Sequence, residues 1–357
     1  MRENQMIGQK QLRLRSIVPI FTAGIFVFLL YIYFLVPFND LVQTFQQVNP
    51  FYIFLALAVL FLAHGFYAFT WQKLLEMLSV KASFTKAFQY TWVANFVDIL
   101  VPAESVSGDF LRIYLLSKEK SGDAGKIAAS VLCHRILVTI ISVLGLLIST
   151  MYFMIYNNPP TLVLQIIVAI AVLNAVVLGL VIYVSIKKEA AEKIVNWTIK
   201  ALVHITRGRW KFEHLKESAT KTMNKFYEGI TVFRQNPKGL IVPVFSSIIA
   251  VILDILIMAL VFLSIGPMEA MISLSALIIV YSSSAIVHYI PIVSGELGTM
   301  EIFLTTMFTL LGNQQAIAIY TAATVLIRIL TLWVRLFVGG IIVQIMGIKS
   351  LTTKNIT

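Results

Sequence analysis

Charge is scarce in this chain. Charged residues fill 13% of its 357 positions and hydrophobic ones 59%, whereas a soluble domain carries about 25% charged residues. That imbalance excludes a water-soluble fold and leaves an all-α polytopic membrane protein. Cysteine is scarcer still. Cys133 stands alone inside an apolar run, which excludes an intrachain disulfide and a cysteine-based metal site. No His-Glu-x-x-His and no phosphate-binding P-loop occur, which argues against an intramembrane metalloprotease and against ATP-driven pumping. Ser294-Gly295 with His288 lacks an oxyanion-hole motif, so hydrolysis is not favoured either. The chain reads as a non-enzyme without cofactor or metal.

Cations are also absent from particular places. The connections 37–50, 156–160 and 265–314 hold no Lys or Arg, while 25 of the 28 cations fall before residue 16, within 73–126, within 187–238 or after 348. Cationic loops stay on the cytoplasmic side. This partition puts both termini and 187–238 in the cytoplasm and predicts a multi-pass protein of the cell membrane. The net charge of +11 then points to anionic lipid headgroups as partners rather than nucleic acid, because the cations flank apolar spans.

The apolar runs divide the chain into one integral-membrane domain, 1–357. A first span covers 17–36; the basic stretch before it resembles a signal peptide, but the run is long enough to be retained as a span. A second span covers 51–71. The segment 84–101 is interrupted by Lys86, Asn95 and Asp98, stops at Pro102 and has cations on both sides. A full crossing would strand one set on the wrong face, so a re-entrant hairpin is expected: helix 84–101, a turn, and a short helix 109–117. A third span covers 127–155, Asn157-Asn158-Pro159-Pro160 turns outside, and a linking span covers 161–186. Apolar residues at helical spacing within 187–238 predict two amphipathic helices with a break at Gly208, a cytoplasmic connector. The fifth span covers 240–264. A second hairpin, 271–290 and 299–311, turns at Pro291 and Ser294-Gly295-Glu296-Leu297-Gly298, and a last span covers 315–346. The expectation is about six full spans plus two oppositely oriented re-entrant hairpins, or up to eight transmembrane segments by another count.

The two halves, 51–155 and 240–346, share an order: a span, a hairpin broken by Pro and then Ser-Gly-acid, and a final span with an arginine inside. The marks are Pro102, Ser107-Gly108-Asp109 and Arg135, then Pro291, Ser294-Gly295-Glu296 and Arg328. With the cation pattern this reads as an inverted repeat, the plan of transporters whose substrate sits where the repeats meet.

Ionisable groups at membrane depth default to functional hypotheses. Asp109, Arg112, Arg135, Glu296, Glu301 and Arg328 are the candidate substrate-binding residues. Asp98 and Asp254 are read as proton or ion-pair groups, with Arg328 or Arg135 as the expected partner of Asp254. Glu104 and His134 join the wider set. Gly108 permits a tight turn, and Arg112, one turn into its helix, suits bidentate contact with phosphate. Against this stands a plain alternative, in which Asp109 caps its helix and Arg112 pairs with a nearby carboxylate. Arg335, seven residues after Arg328 on the same helix face, reads as snorkelling to the interface. His64 and His288 read as interfacial, and Glu296 as a cap for helix 299–311.

On these motifs the sequence resembles the lysylphosphatidylglycerol synthase transmembrane region family, the flippase-like part of MprF, over most of 50–346. The marks are Pro102 through Gly108-Asp109 to Arg112, Ser130-Val-Leu-Cys-His-Arg135, Ser294-Gly295-Glu296-Leu297-Gly298-Thr-Met-Glu301 and Leu326-Ile-Arg328. Family members often read Pro-Gly-Gly-Leu-Gly-x-x-Glu at the third site; here Ser294 replaces the Pro and Glu296 the second Gly. His134 stands where the family commonly has Glu. The resemblance implies an integral-membrane lipid translocator. The chain carries no aminoacyl-transferase domain before Thr357 and is not expected to make aminoacylated lipid by itself.

The leading expectation is a flippase-like transporter moving a phospholipid or polyprenyl-linked lipid between leaflets. Two alternatives stay open: a carrier for a small anion or polar solute, and a non-transporting membrane partner of a cytoplasmic lipid-modifying enzyme docked on 187–238. A homodimer stays open as well.

Overall fold

The computed structural model describes residues 26, 33, 38–101, 106–119, 122–157, 159–205, 212–266, 272–289 and 296–346. All regular structure among them is helical. The expected first span 17–36 apart from residues 26 and 33, segments 102–105 and 290–295 of the expected hairpin turns, Glu104 and the break at Gly208 lie outside the described residues.

The helices are α1 (Phe38–Gln46), α2 (Pro50–Met77), α3 (Phe84–Leu100), α4 (Ser107–Lys118), α5 (Ala124–Asn157), α6 (Thr161–Ile186), α7 (Lys188–Ile205), α8 (Phe212–Gln235), α9 (Ile241–Ile265), α10 (Leu274–Ser283), α11 (Thr299–Leu311), α12 (Ile317–Arg328) and α13 (Arg335–Met346). Among the described residues five stretches are long and apolar enough to cross a membrane: α2, α5, α6, the segment ending in α9, and the segment from α12 to α13. At about 1.5 Å per residue, the 28 residues of α2 reach past a hydrocarbon core about 30 Å thick. The predicted limits of α3, α4, α6 and α11 hold to within two residues.

Three features depart from expectation. The loop 37–50 contains α1, which packs on α12. The second span continues beyond Trp71 to Met77. The last span is not a uniform α-helix, because Ile329–Val334 is a π-helical segment.

Helix starts follow local chemistry. Asn49 Oδ1 accepts from Phe51 N at 3.0 Å ahead of Pro50, Ser83 Oγ from Lys86 N at 3.4 Å, and Ser273 Oγ from Ala276 N at 3.2 Å. These are side-chain caps for otherwise unbonded backbone donors. Gly266, at φ 94, ends α9 in a conformation that glycine adopts without strain.

Helices α2 and α9 run antiparallel along each other. Asn49 N donates to Ser264 O at 2.7 Å near one end, and Thr70 Oγ1 lies 2.7 Å from Ser246 Oγ farther along. Helix α3 packs on α13, and α10 packs on α5. A helix from 51–155 thus lies on the last long helix of 240–346, and a helix from 240–346 on the last long helix of 51–155. Gly339 makes the first contact close: a Cβ there would meet Phe96 Cβ at 2.6 Å and Trp92 O at 2.9 Å. Gly145 faces Ile278 and Ser282 in the second. The outward sides of α5 and α6 expose Leu147, Ile148, Met151, Leu162 and Val172. An apolar surface of that extent suits lipid, not water.

Among the described residues the interior holds two large apolar clusters and a small third one of Ile99, Leu297 and Leu332. One large cluster includes Leu60, Leu146, Phe153, Ile257 and Phe308. The other includes Trp71, Leu74, Leu78, Ile127 and Phe233. The cation-bearing segments gather at the second cluster, where Leu78 approaches Gly229, Val80 approaches Gly122, and α8 crosses the start of α5 at Gly125.

Candidate functional site

At the start of α4, Asp98 reaches across from α3. Its Oδ1 accepts from Ser107 Oγ at 2.7 Å and from Gly108 N at 2.6 Å. Asp98 therefore supplies the cap that a local side chain does not. Gly108 serves close approach rather than a turn: a Cβ there would press on Ala94 O and on Asp98 itself. The next residue, Asp109, pairs with two arginines: its Oδ1 accepts from Arg112 Nη2 at 2.6 Å, and its Oδ2 accepts from Arg135 Nη2 of α5. The Arg112 guanidinium also lies 5.0 Å from the Trp71 ring centre. Trp71 Nε1 in turn donates to Ser130 Oγ at 3.0 Å. Arg112 is buried, held between a carboxylate and an indole.

The second half repeats this arrangement with a different acid from the one the sequence matching selected. Glu301, in the first turn of α11, accepts from Gly298 N at 2.7 Å and from Arg328 Nε at 2.8 Å. Asp109 and Arg135 are 26 positions apart, and Glu301 and Arg328 are 27 apart. In each half an acid in the first turn of a short helix holds an arginine of the following long helix. The expected match of Asp109 to Glu296 is corrected to Glu301, because three residues of turn follow Gly295 before α11 begins. Glu296 does not cap α11 through its side chain. It sits at φ 52, buried, and its carbonyl accepts from Thr299 Oγ1 at 3.1 Å.

Asp254 also departs from expectation. Its Oδ2 accepts from Tyr67 OH at 2.8 Å and Tyr281 OH at 3.1 Å, and its Oδ1 lies 3.8 Å from Arg335 Nη2. Arg135 and Arg328 are already held by their own acids, so Arg335 is the cation left for it. Arg335 therefore turns inward instead of snorkelling. The π-helical segment lies directly between Arg328 and Arg335, and both arginines face the same cavity. Such segments concentrate at functional positions.

That cavity has a volume of about 650 Å³. Asp98, Asp109, Arg112, Arg135, Asp254, Glu296, Arg328 and Arg335 all line it. Of the predicted site residues only Glu301 stands outside, directly behind Arg328. The cavity lies between the two large apolar clusters. Along α5, Ile127 to Val131 belong to one cluster and Leu146 and Phe153 to the other, with His134, Arg135, Thr139 and Ser142 lining the cavity between them. Along α2 the cavity residues His64 and Tyr67 fall midway between Pro50 and Met77. His64 is thus not interfacial; it is buried and stacked on Trp92, with ring centres 4.1 Å apart. Among the described residues no group of three or more His, Cys, Asp or Glu is placed to hold a metal.

Sequence reasoning missed Tyr67, Tyr281 and Asn174. The tyrosines gave no signal, being ordinary in apolar helices. Asn174 did: it is the single amide in the interior of the apolar run from Ile166 to Tyr183.

The family described as lysylphosphatidylglycerol synthase TM region matches residues 21–339. The chain belongs to this family. Its curated relatives include UPF0104 membrane proteins of archaea. One from Pyrococcus horikoshii is 24% identical, the match covering 82% of this chain and 86% of the relative. One from Methanothermobacter thermautotrophicus is 21% identical over 83% and 85% of the two chains. A third, from Methanocaldococcus jannaschii, is 24% identical over 80% and 83%. Family membership spans both halves of the cavity, from the acid–arginine pair of α4 and α5 to that of α11 and α12.

Proposed function

We propose that this protein is a flippase-like transporter that moves a phosphate-bearing lipid, a phospholipid or a polyprenyl-linked lipid, between the leaflets of the cell membrane. The observation that carries this reading is the mid-depth cavity lined by four arginines and four carboxylates drawn from both halves. Charged side chains at such depth are expensive and are retained where a polar substrate or ion passes.

On this reading the regions α3–α4 and α10–α11 are re-entrant hairpins entering from opposite faces, and 51–155 and 240–346 form an inverted repeat around the cavity. The reciprocal packing of α3 on α13 and α10 on α5, with α2 antiparallel to α9, supports it. The cation-rich end near Met77 is cytoplasmic. The headgroup phosphate is taken up by Arg112 and Arg135 on one side and passed toward Arg328 and Arg335 on the other, while the tails stay in lipid along the apolar walls of α5 and α6. The acids hold the arginines in place between passages, so a phosphate exchanges one ion pair for another rather than meeting a bare cation. The chain acts without catalytic machinery of its own.

Reconstitution into liposomes tests this. Tail-labelled anionic phospholipid should become accessible to an outer-leaflet quencher faster with the protein than in protein-free vesicles. Uptake of a small anion into sealed vesicles without lipid movement would replace the lipid reading by the solute-carrier one.

A further inference from the structure

Several residues on the cavity wall carry buried polar atoms without a hydrogen-bond partner among the described residues, among them Arg112 Nε, His134 Nε2, and both amide atoms of Asn174. Asn174 is the most informative. It is 1% exposed, it belongs to the linking helix α6, outside both repeats, and neither its Nδ2 nor its Oδ1 is satisfied. An unsatisfied buried amide is costly, and its retention calls for an explanation.

The chemistry of the missing partner is restricted. A phosphate oxygen only accepts hydrogen bonds, so it would answer Nδ2 and repel Oδ1. An ammonium only donates, so it would do the reverse. A hydroxyl both donates and accepts, and satisfies either atom or, in a vicinal pair, both. Arg112 Nε, an unpartnered charged donor lining the same cavity, is suited to a phosphate oxygen. The residue type is also the one that rejects a substrate lacking the hydroxyl, because the buried amide is then left unpaired.

We infer that Asn174 is a headgroup-selecting residue that recognises a hydroxyl group next to the phosphate, so that the preferred substrate is a phosphodiester lipid with a neutral hydroxylated headgroup such as glycerol or a sugar. This rests on the lipid-transport reading above.

The test uses two tail-labelled lipids of equal charge in liposomes holding the full-length protein: phosphatidylglycerol, with two headgroup hydroxyls, and phosphatidylmethanol, with none. The wild type should move phosphatidylglycerol faster, on the order of tenfold for one well-satisfied hydrogen-bonding group. In Asn174→Leu the preference should fall to near unity through loss of phosphatidylglycerol movement, with the phosphatidylmethanol rate retained. Its melting temperature without added lipid should equal or exceed the wild type's, since an unsatisfied amide has been replaced by an apolar group. Asn174→Gln, which keeps donor and acceptor, should retain part of the preference and covers the case in which the leucine variant does not fold. Equal rates for both lipids in the wild type, or an unchanged preference in Asn174→Leu, overturn the role of Asn174 and leave lipid transport standing. Movement of neither lipid by the wild type overturns both.

Discussion

Asp109 holds two arginines at once, one on each carboxylate oxygen: Arg112 from its own helix at 2.6 Å, and Arg135 from α5. One negative charge therefore organises two positive ones at the cavity wall, and the pair keeps an excess of donors available to an anion. Asp109→Asn should release both guanidiniums. Retention of anionic lipid through purification, read by mass spectrometry, should rise, while lipid movement falls because the headgroup is held too well. Stability should drop by about 1–3 kcal/mol, with the smaller share from the more exposed Arg135. Unchanged lipid retention would show that the arginines do not face substrate.

The equivalent pair in the second half is more deeply buried, with side-chain exposures of 10% for Arg328 and 2% for Glu301. Glu301→Gln should cost about 3–5 kcal/mol, the usual consequence of leaving one buried charge alone. Exchanging both residues together, Glu301→Met with Arg328→Met, should recover most of that stability yet not restore transport. Thermal unfolding of the two variants in one detergent gives the comparison. Loss of stability in the double variant as large as in the single one would contradict it.

Glu296 occupies the left-handed region at φ 52 and is 3% exposed. A non-glycine residue there is strained, and strain of this kind persists where function requires the side chain. Glu296→Gly should raise the melting temperature, with about 1 kcal/mol gained from the backbone, and lower the transport rate. A variant that is both more stable and fully active would leave Glu296 as a turn residue without a substrate role.

Gly339 and Gly179 make a matched test of the reciprocal packing. A Cβ at Gly339 would collide with α3 at Phe96 and Trp92, whereas nothing lies within 4 Å of one at Gly179. Gly339→Ala should force α13 from α3, lowering the melting temperature and the yield of folded protein, by about 1–3 kcal/mol for an overpacked contact. Gly179→Ala should be neutral or slightly stabilising. The opposite ranking would argue against the α3–α13 interface.

Sidedness is open to direct measurement. In a Cys133→Ser background, cysteine at Ser294 should react with an impermeant reagent from outside the cell, and cysteine at Lys193 only after permeabilisation. Reaction at Ser294 from the cytoplasmic side alone would remove the inverted repeat.

Much of the helical plan was legible because its causes are local. Apolar runs interrupted by Pro, Gly and capping residues set the limits of α3, α6 and α11, and charges within or beside the chain's apolar runs marked seven residues that line the cavity: Asp98, Asp109, Arg112, Arg135, Asp254, Glu296 and Arg328. Partner choice was not legible. The acid equivalent to Asp109 was read as Glu296, since the shared Ser-Gly-acid motif is a local pattern, while the pairing with Arg328 depends on where α11 begins and which face it turns. Arg335 was assigned to the interface because length and position permit snorkelling. Its approach to Asp254 follows from Arg135 and Arg328 being already engaged, and nothing in the sequence of α13 records that.

By itself, then, the sequence determined the class of solvent each segment prefers, the limits of several apolar helices, the end of the molecule where cations collect, and membership of the lysylphosphatidylglycerol synthase TM region family. These depend on hydropathy and short-range backbone chemistry, which act within a few residues. Tertiary structure alone decided that Asp109 bridges two arginines, that Glu301 and not Glu296 holds Arg328, that Tyr67 and Tyr281 serve Asp254, and that Asn174 reaches the same cavity with its amide unsatisfied. Each of these contacts joins residues whose meeting is set by how helices pack across the two halves, and ion pairs and buried hydrogen bonds are decided only once that packing has fixed which charges lie within reach.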